Sequence, residues 1–464
     1  MILRPAGALA IVSLLGSCAP PADPVCEAWA GRAACTLPPL TSAPIAIDGT
    51  TATGVELAID ARGDLLLAVS VTTEGGPRVR VLEETGGSLV TRAWPGDDLD
   101  RVVDMPSVAV GPSGEAAVAL RAGADGGSGD ILVATRDEMH AWYEPAAGAA
   151  VSLPPRAYEP RVRFTPSGAL VVVVNQGAAS RTGYGVRVCQ ATSVTGPLDC
   201  PESADDVLSL PTFFSNRPRP ALDARGGGVI SWYQSLGGPL RCFVSTRASE
   251  AEPFARVTEA DAVSIASTPV DSGAPPDAAS SPGGTSAVAW GQEDGRGGVA
   301  VFVAIRRPDG TIERPATLDD RLSVGDQIAR QVSVAAGADD TIFVVWAGRG
   351  TDAAEHVWLA RIAAGAPASD AEVALVSQLG LAASAPALAV SPRGELAIGY
   401  VEHAAGTERL WLRRGAADGS LTAPEPIAES AHVGAPALAL GATSRRLAIA
   451  WIDAEGAHVA STTR

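Results

Sequence analysis

The chain has 464 residues with a formal net charge of −17, 46% hydrophobic residues and 19% charged ones, and its 35 basic residues are all arginine. So much apolar sequence excludes a disordered chain, and so acidic a balance argues against a nucleic-acid or anionic-membrane surface. Aromatic residues make up only 5%, so the core must be built mainly from Val, Leu, Ile and Ala.

From the N-terminus, Arg4 precedes a short apolar run from Ala8 to Leu15 that stops at Gly16-Ser17-Cys18. Such a run is far below the roughly 20 residues needed to cross a bilayer, so it reads as an export signal rather than a membrane span. Leu15-Gly16-Ser17-Cys18 resembles the lipobox of bacterial lipoproteins. That resemblance implies a signal peptide over 1–17, Cys18 as the acylated mature N-terminus, and an outer-membrane address, because Ala19 rather than Asp follows the cysteine. Residues 18–42 carry Pro20-Pro21, Pro24 and Pro38-Pro39 and read as an extended tether.

Export implies oxidising conditions, under which the close spacings Cys26 to Cys35 and Cys189 to Cys200 predict two local disulfides. Cys242, within Leu240-Arg241-Cys242-Phe243-Val244, is then a buried, inert thiol on a strand. No cofactor is indicated. The five histidines lie far apart and no CxxC is present, which leaves no metal-ligand spacing.

Residues 43–464 repeat one unit: apolar strand, tight turn, apolar strand. The last turn residue falls at 63, 114, 168, 226, 284, 340, 394 and 444, at intervals of 50 to 58, and six of the eight are Gly, as tight hairpins needing positive φ prefer. Each unit continues into a third strand, such as Val357 to Ile362, and a weaker fourth, such as Pro426 to Glu429. Four-stranded antiparallel units of about 50 residues predict an all-β, eight-bladed β-propeller. Seven blades or an open array are the alternatives. The last unit ends after its third strand, and Pro44-Ile45-Ala46-Ile47-Asp48 precedes the first turn marker much as Pro426 to Ser430 precedes the last. An N-terminal strand is therefore expected to complete the last blade and remove two free edges. The hairpin Ser391 to Ile398 resembles those of TolB-like propellers, while Phe343-Val344-Val345-Trp346 and Ala448 to Trp451 resemble sialidase-like repeats; both resemblances imply the fold alone.

Trp232, Trp290, Trp346, Tyr400 and Trp451 end the second strands of blades four to eight. A large residue at one fixed blade position reads as packing between blades rather than as a sugar platform. No GxSxG, GxxxxGK[ST] or HExxH is present, so no catalytic residue is assigned. A glycan-cleaving enzyme of the sialidase type would use an arginine cluster, a Tyr nucleophile with a Glu partner, and an acid. Arg161, Arg219 and Arg330 sit at comparable places before first strands and Tyr158-Glu159 are adjacent, but the arginine-bearing opening motif and the SxDxGxxW boxes are missing.

The main reading is a membrane-anchored, non-catalytic envelope scaffold that binds a protein or a glycan, a monomer touching the membrane only through its lipid; the alternative is a sialidase-like glycan-cleaving enzyme on the same ring. Loops entering first strands and loops joining second to third strands share one face. The candidate ligand face there comprises Tyr158, Glu159, Arg161, Arg217, Arg219 and Arg330, with Glu402 and His403.

Overall fold

The computed structural model describes residues 38–45, 51–92, 102–123, 129–143, 157–177, 183–210, 214–324, 328–349 and 354–462. Eight antiparallel sheets follow one another along the chain. Blade 1 comprises Thr51–Ile59, Leu65–Thr73, Gly76–Thr85 and Ser88–Arg92; blade 2 comprises Val102–Val110, Ala116–Gly123, Asp130–Arg136 and Trp142–Tyr143. Blade 5 (Asp277–Ser280, Ser286–Glu293, Val299–Arg306, Ile312–Glu313), blade 6 (Ala329–Ala336, Ile342–Arg349, Glu355–Ile362, Glu372–Leu375) and blade 7 (Ala382–Val390, Glu395–Ala404, Thr407–Ala416, Glu425–Ser430) repeat the four-stranded plan.

Blades 3 (Ala157–Phe164, Leu170–Gly177, Tyr184–Ala191) and 4 (Ser215–Leu222, Gly228–Ser235, Leu240–Arg247) have three regular strands each. Irregular chain takes the outer place. Asp199 bridges Gln190 in blade 3, Ala262 bridges Phe243 in blade 4, and the Cys189–Cys200 disulfide fastens the first of these segments to its sheet. The turn-forming sequence Thr192-Ser193-Val194-Thr195-Gly196-Pro197 accounts for the lost regularity.

Blade 8 closes the ring. Its order is Leu40–Ile45, Gly456–Thr462, Leu447–Asp453, Ala437–Leu440, with Leu40 opposite Thr462 and Pro44 opposite His458. The closing strand thus starts at Leu40, inside the segment read as tether, and Ala46 to Asp48 lie outside the described residues. A second stitch joins the ends on the hairpin side, where Arg446 Nη1 donates to Gly63 O at 2.7 Å and Thr443 Oγ1 to Ala61 O at 2.5 Å.

Second strands sit between neighbours on both faces, which is why they read as unbroken apolar runs: every residue of Leu170–Gly177 and Ala116–Gly123 is buried. Their hairpins share one geometry, with the first turn residue donating to the carbonyl four residues on, as in Asp223 N to Gly227 O and Ser391 N to Glu395 O, both 2.9 Å. Blade 8 departs from the expected spacing. Gly441 N reaches Arg446 O, one residue further, so the left-handed position is Arg445 (φ 50°) and not Ser444.

Trp232, Trp290, Trp346 and Tyr400 have no measurable exposure and Trp451 only 2%. They are core, as their fixed blade position predicts. Three of the indoles are also tied by a polar residue two positions on: Trp232 Nε1 donates to Gln234, Trp290 to Gln292 and Trp451 to Asp453. Among the described residues no helix is long and apolar enough to cross a membrane.

Candidate functional site

The site begins with a defect repeated in the first strands. Their pairing with the second strand slips between Asp104 and Ser107, Tyr158 and Arg161, Asn216 and Arg219, Arg330 and Ser333, and Ser384 and Ala387. At each slip one non-glycine residue has left-handed backbone: Met105, Glu159, Arg217, Gln331 and Ala385, with φ between 50° and 54°. Such residues cost of order 1–3 kcal/mol each and persist only where the surroundings hold them. In four of the five the next residue is proline, whose missing N–H suits a place where the ladder is broken.

The neighbouring blades supply the restraint. Glu159 Oε2 accepts from Arg217 N at 2.7 Å and from Asn175 Nδ2 at 2.9 Å, and Gln331 Oε1 accepts from Ala385 N at 2.6 Å. In both cases a left-handed residue of one blade holds the left-handed residue of the next.

Just below the bulges each first strand contributes one side chain to a ring around the central channel. Blades 1 to 4 place Glu56, Ser107, Arg161 and Arg219 there; blades 5 to 8 place Asp277, Ser333, Ala387 and Ala437. Two residues further along, the equivalent position is Ala in seven blades and Arg163 in blade 3. Arg163 replaces the small residue that its seven counterparts keep, and it joins the ring residues in lining a cavity of about 560 Å³. A smaller recess of about 320 Å³ continues upward past Met105, Glu159 and Arg217.

Among the described residues all of the cavity's charge lies on blades 1 to 5. Arg161 Nη1 meets Glu56 Oε1 at 3.4 Å, and Arg219 Nε stands 3.9 Å from Asp277 Oδ1, too far for a hydrogen bond. Asp277 Oδ2 is already engaged by Val334 N at 3.0 Å and Ser333 Oγ at 3.3 Å. Arg163 donates through Nη1 to the carbonyl of Val162 at 2.8 Å. Each guanidinium has five N–H donors, and few of them are engaged by the side chains and carbonyls around them. Burial and the Arg161 charge pull Arg219 down to about 10, and burial with the Arg219 charge lowers Arg163 as well. Among the described residues the cavity lining, ring and Arg163 together, thus holds three arginines against two carboxylates, opposite in balance to the whole chain.

The expected face is brought together only in part. Arg161, Arg217 and Glu159 lie at the mouth and Arg219 inside it. Arg330 does not join them: it is exposed and precedes the bulge, and the blade 6 counterpart of Arg161 and Arg219 is Ser333. The bulge adds one residue to the first strand, and Arg330 lies before it, where blades 3 and 4 carry Tyr158 and Asn216. Tyr158 is spent on packing; it stands edge-on to Tyr184 with centroids 4.5 Å apart, its hydroxyl donates to Ser215 O at 3.4 Å, and burial raises its pKa strongly. Glu402 is buried and His403 half-exposed on blade 7, outside the channel lining.

Cys242 is buried and free, and burial raises its thiol well above the usual range; Cys18, Cys26 and Cys35 lie outside the described residues. One group with metal-ligand proximity exists among the described residues, Asp60, Asp64 and His140. Its chemistry is that of an ion-pair network, since Asp60 pairs with Arg136 at 3.1 Å and His140 bonds Glu83 at 2.8 Å.

No protein-family model and no curated protein matches the sequence. Among solved structures the chain is similar to a polysaccharide lyase, an ulvan lyase (10% identity, 76% of this chain and 91% of that one, TM-score 0.47), and to an α-L-arabinanase of Penicillium chrysogenum (12% identity, 78% and 92%, TM-score 0.39). It is similar too to the Hadza microbial sialidase Hz136 (13% identity, 76% and 63%, TM-score 0.37). These are similarities of chain path alone.

Proposed function

We propose that the protein is an exported, lipid-anchored envelope scaffold whose channel mouth captures a carboxylate-bearing partner, a glycan or protein segment, without cleaving it there. The observation that carries this reading is the cluster of Arg161, Arg163 and Arg219 in the cavity with most of its donors unengaged. Guanidinium is the side chain best matched to paired carboxylate oxygens, and a partly enclosed site strengthens each contact relative to bulk water. In a chain of net charge −17 this local reversal of sign favours an anionic ligand over general adhesion.

The sialidase-like alternative draws on the same arginines. It needs a nucleophile and an acid beside them, and the nearest pair is committed: Tyr158 to packing and Ser215 O, Glu159 to Arg217 N and Asn175. Binding of a uronate-containing oligosaccharide and of an acidic peptide is the test. Affinity should fall with salt and be lost in Arg163→Ala or Arg219→Ala, with Arg62→Ala on the hairpin face as control. Equal affinity in all variants overturns the reading, and turnover of a sialoside would favour the alternative. The anchor is tested separately: Cys18→Ser should release the protein from membranes.

A further inference from the structure

Blade 7 holds three polar side chains on three adjacent strands, outside the channel. Ser384 lies on the first strand, His403 on the second and Glu408 on the third, with His403 and Glu408 directly opposite each other across the hairpin. Ser384 Oγ is 2.7 Å from His403 Nε2, and His403 Nδ1 is 3.1 Å from Glu408 Oε1. With Nδ1–H donating to the carboxylate, Nε2 is left to accept the serine proton.

We propose that Ser384, His403 and Glu408 form a nucleophile, base and orienting acid that hydrolyse esters of small acyl groups. The order of contacts is the one acyl transfer needs, and such a constellation is recognised by geometry rather than by chain order. Glu408 is itself fixed, because Oε2 accepts from Val433 N at 2.6 Å and faces His432 Nδ1 at 3.1 Å. Burial alone would raise its pKa, but the Val433 N–H and the two histidines outweigh this and hold it below the usual 4.5. Ser384 sits at the bulge immediately before left-handed Ala385, a strained turn of the kind that re-aims a side chain. The imidazole is 39% exposed, so the reacting pair opens to solvent and suits a small acyl group whose alcohol stays outside.

Ser384 Oγ attacks the ester carbonyl carbon while its proton passes to His403 Nε2. The tetrahedral intermediate collapses with cleavage of the bond to the alkoxy oxygen, and the alcohol leaves with that proton. Water, deprotonated by the same nitrogen, then attacks the acyl-serine, releasing the carboxylic acid and restoring Ser384.

The test is covalent capture of the intact chain by a biotinylated fluorophosphonate, with the adduct mapped by mass spectrometry, alongside turnover of 4-nitrophenyl acetate. An adduct on Ser384 is expected, with capture reduced about 100-fold or more in His403→Ala and turnover equally reduced in Ser384→Ala. Glu408→Gln should lower the rate while melting as wild type, and Glu408→Asp should restore part of it, which marks Glu408 as a positioning residue. No adduct on wild type, an adduct elsewhere, or undiminished turnover in Ser384→Ala overturns the proposal. Should Ser384→Ala not fold, adduct mapping on wild type decides alone. Loss of anion binding at the channel would leave this result untouched, since blade 7 lines the channel only through Pro386, Ala387 and Leu388.

Discussion

Glu159 of blade 3 accepts a hydrogen bond from the backbone N–H of Arg217 in blade 4 at 2.7 Å, joining two residues whose backbones are both left-handed, φ 51° and 54°. The strain at the rim is thus held between blades as well as within them, since Asn175 and Asn216 also bond these residues. The two groups stand beside the guanidiniums of the channel, so the mouth is organised before any ligand arrives.

Replacing Glu159 by Ala removes the shorter of two acceptors for both Arg217 N and Asn175 Nδ2. Both donors keep a second acceptor in Asn216 Oδ1, at 3.1 and 3.3 Å, so the loss should be about 1 kcal/mol, the net worth of a hydrogen bond, read from urea denaturation. Glu159→Gln retains an acceptor and should lose less; equal stability of Glu159→Ala and wild type would show that the contact is ornamental.

Trp290 is fully buried, stacks on Phe302 with centroids 6.2 Å apart and donates to Gln292. Trp290→Ala should cost about 3–5 kcal/mol through the cavity it leaves. Ligand affinity of the folded fraction should not change, whereas a sugar platform would lose binding with little loss of stability.

Deleting Leu40–Ile45 strips blade 8 of its outer strand and exposes the edge of Gly456–Thr462. Open edges recruit other chains, so light scattering should show association and the melting temperature should fall. A monomer that melts as wild type would mean that the strand is dispensable for closure.

Glu83 has no side-chain exposure and receives Arg92 Nε and His140 Nδ1 at 2.8 Å as well as Arg136. Burial alone would raise its pKa, but these partners together hold it below the usual 4.5. The unfolded chain therefore takes up the proton at higher pH than the folded one, so this stability is complete above pH 4.5 and is lost as pH falls toward the folded value. Glu83→Gln should flatten that acid limb of a stability-against-pH curve; an unchanged limb would place the proton uptake elsewhere.

What the chain announces by itself is its periodic part. A left-handed turn position at regular intervals, an apolar run on either side, and a last unit lacking one strand specify eight antiparallel blades and a closure by the N-terminus, because turn conformation and strand alternation are encoded within a few neighbouring residues. The regular Ala at the second channel position, broken only by Arg163, was equally present in the sequence, but it becomes meaningful only once the register shows those eight positions to be equivalent. Cross-strand register decided that Ser333, after the bulge, and not Arg330, before it, stands with Arg161 and Arg219 in the ring. Tertiary structure alone brought Ser384, His403 and Glu408 together, since they come from three strands and their meeting depends on cross-strand register and a bulge, neither of which local sequence periodicity records.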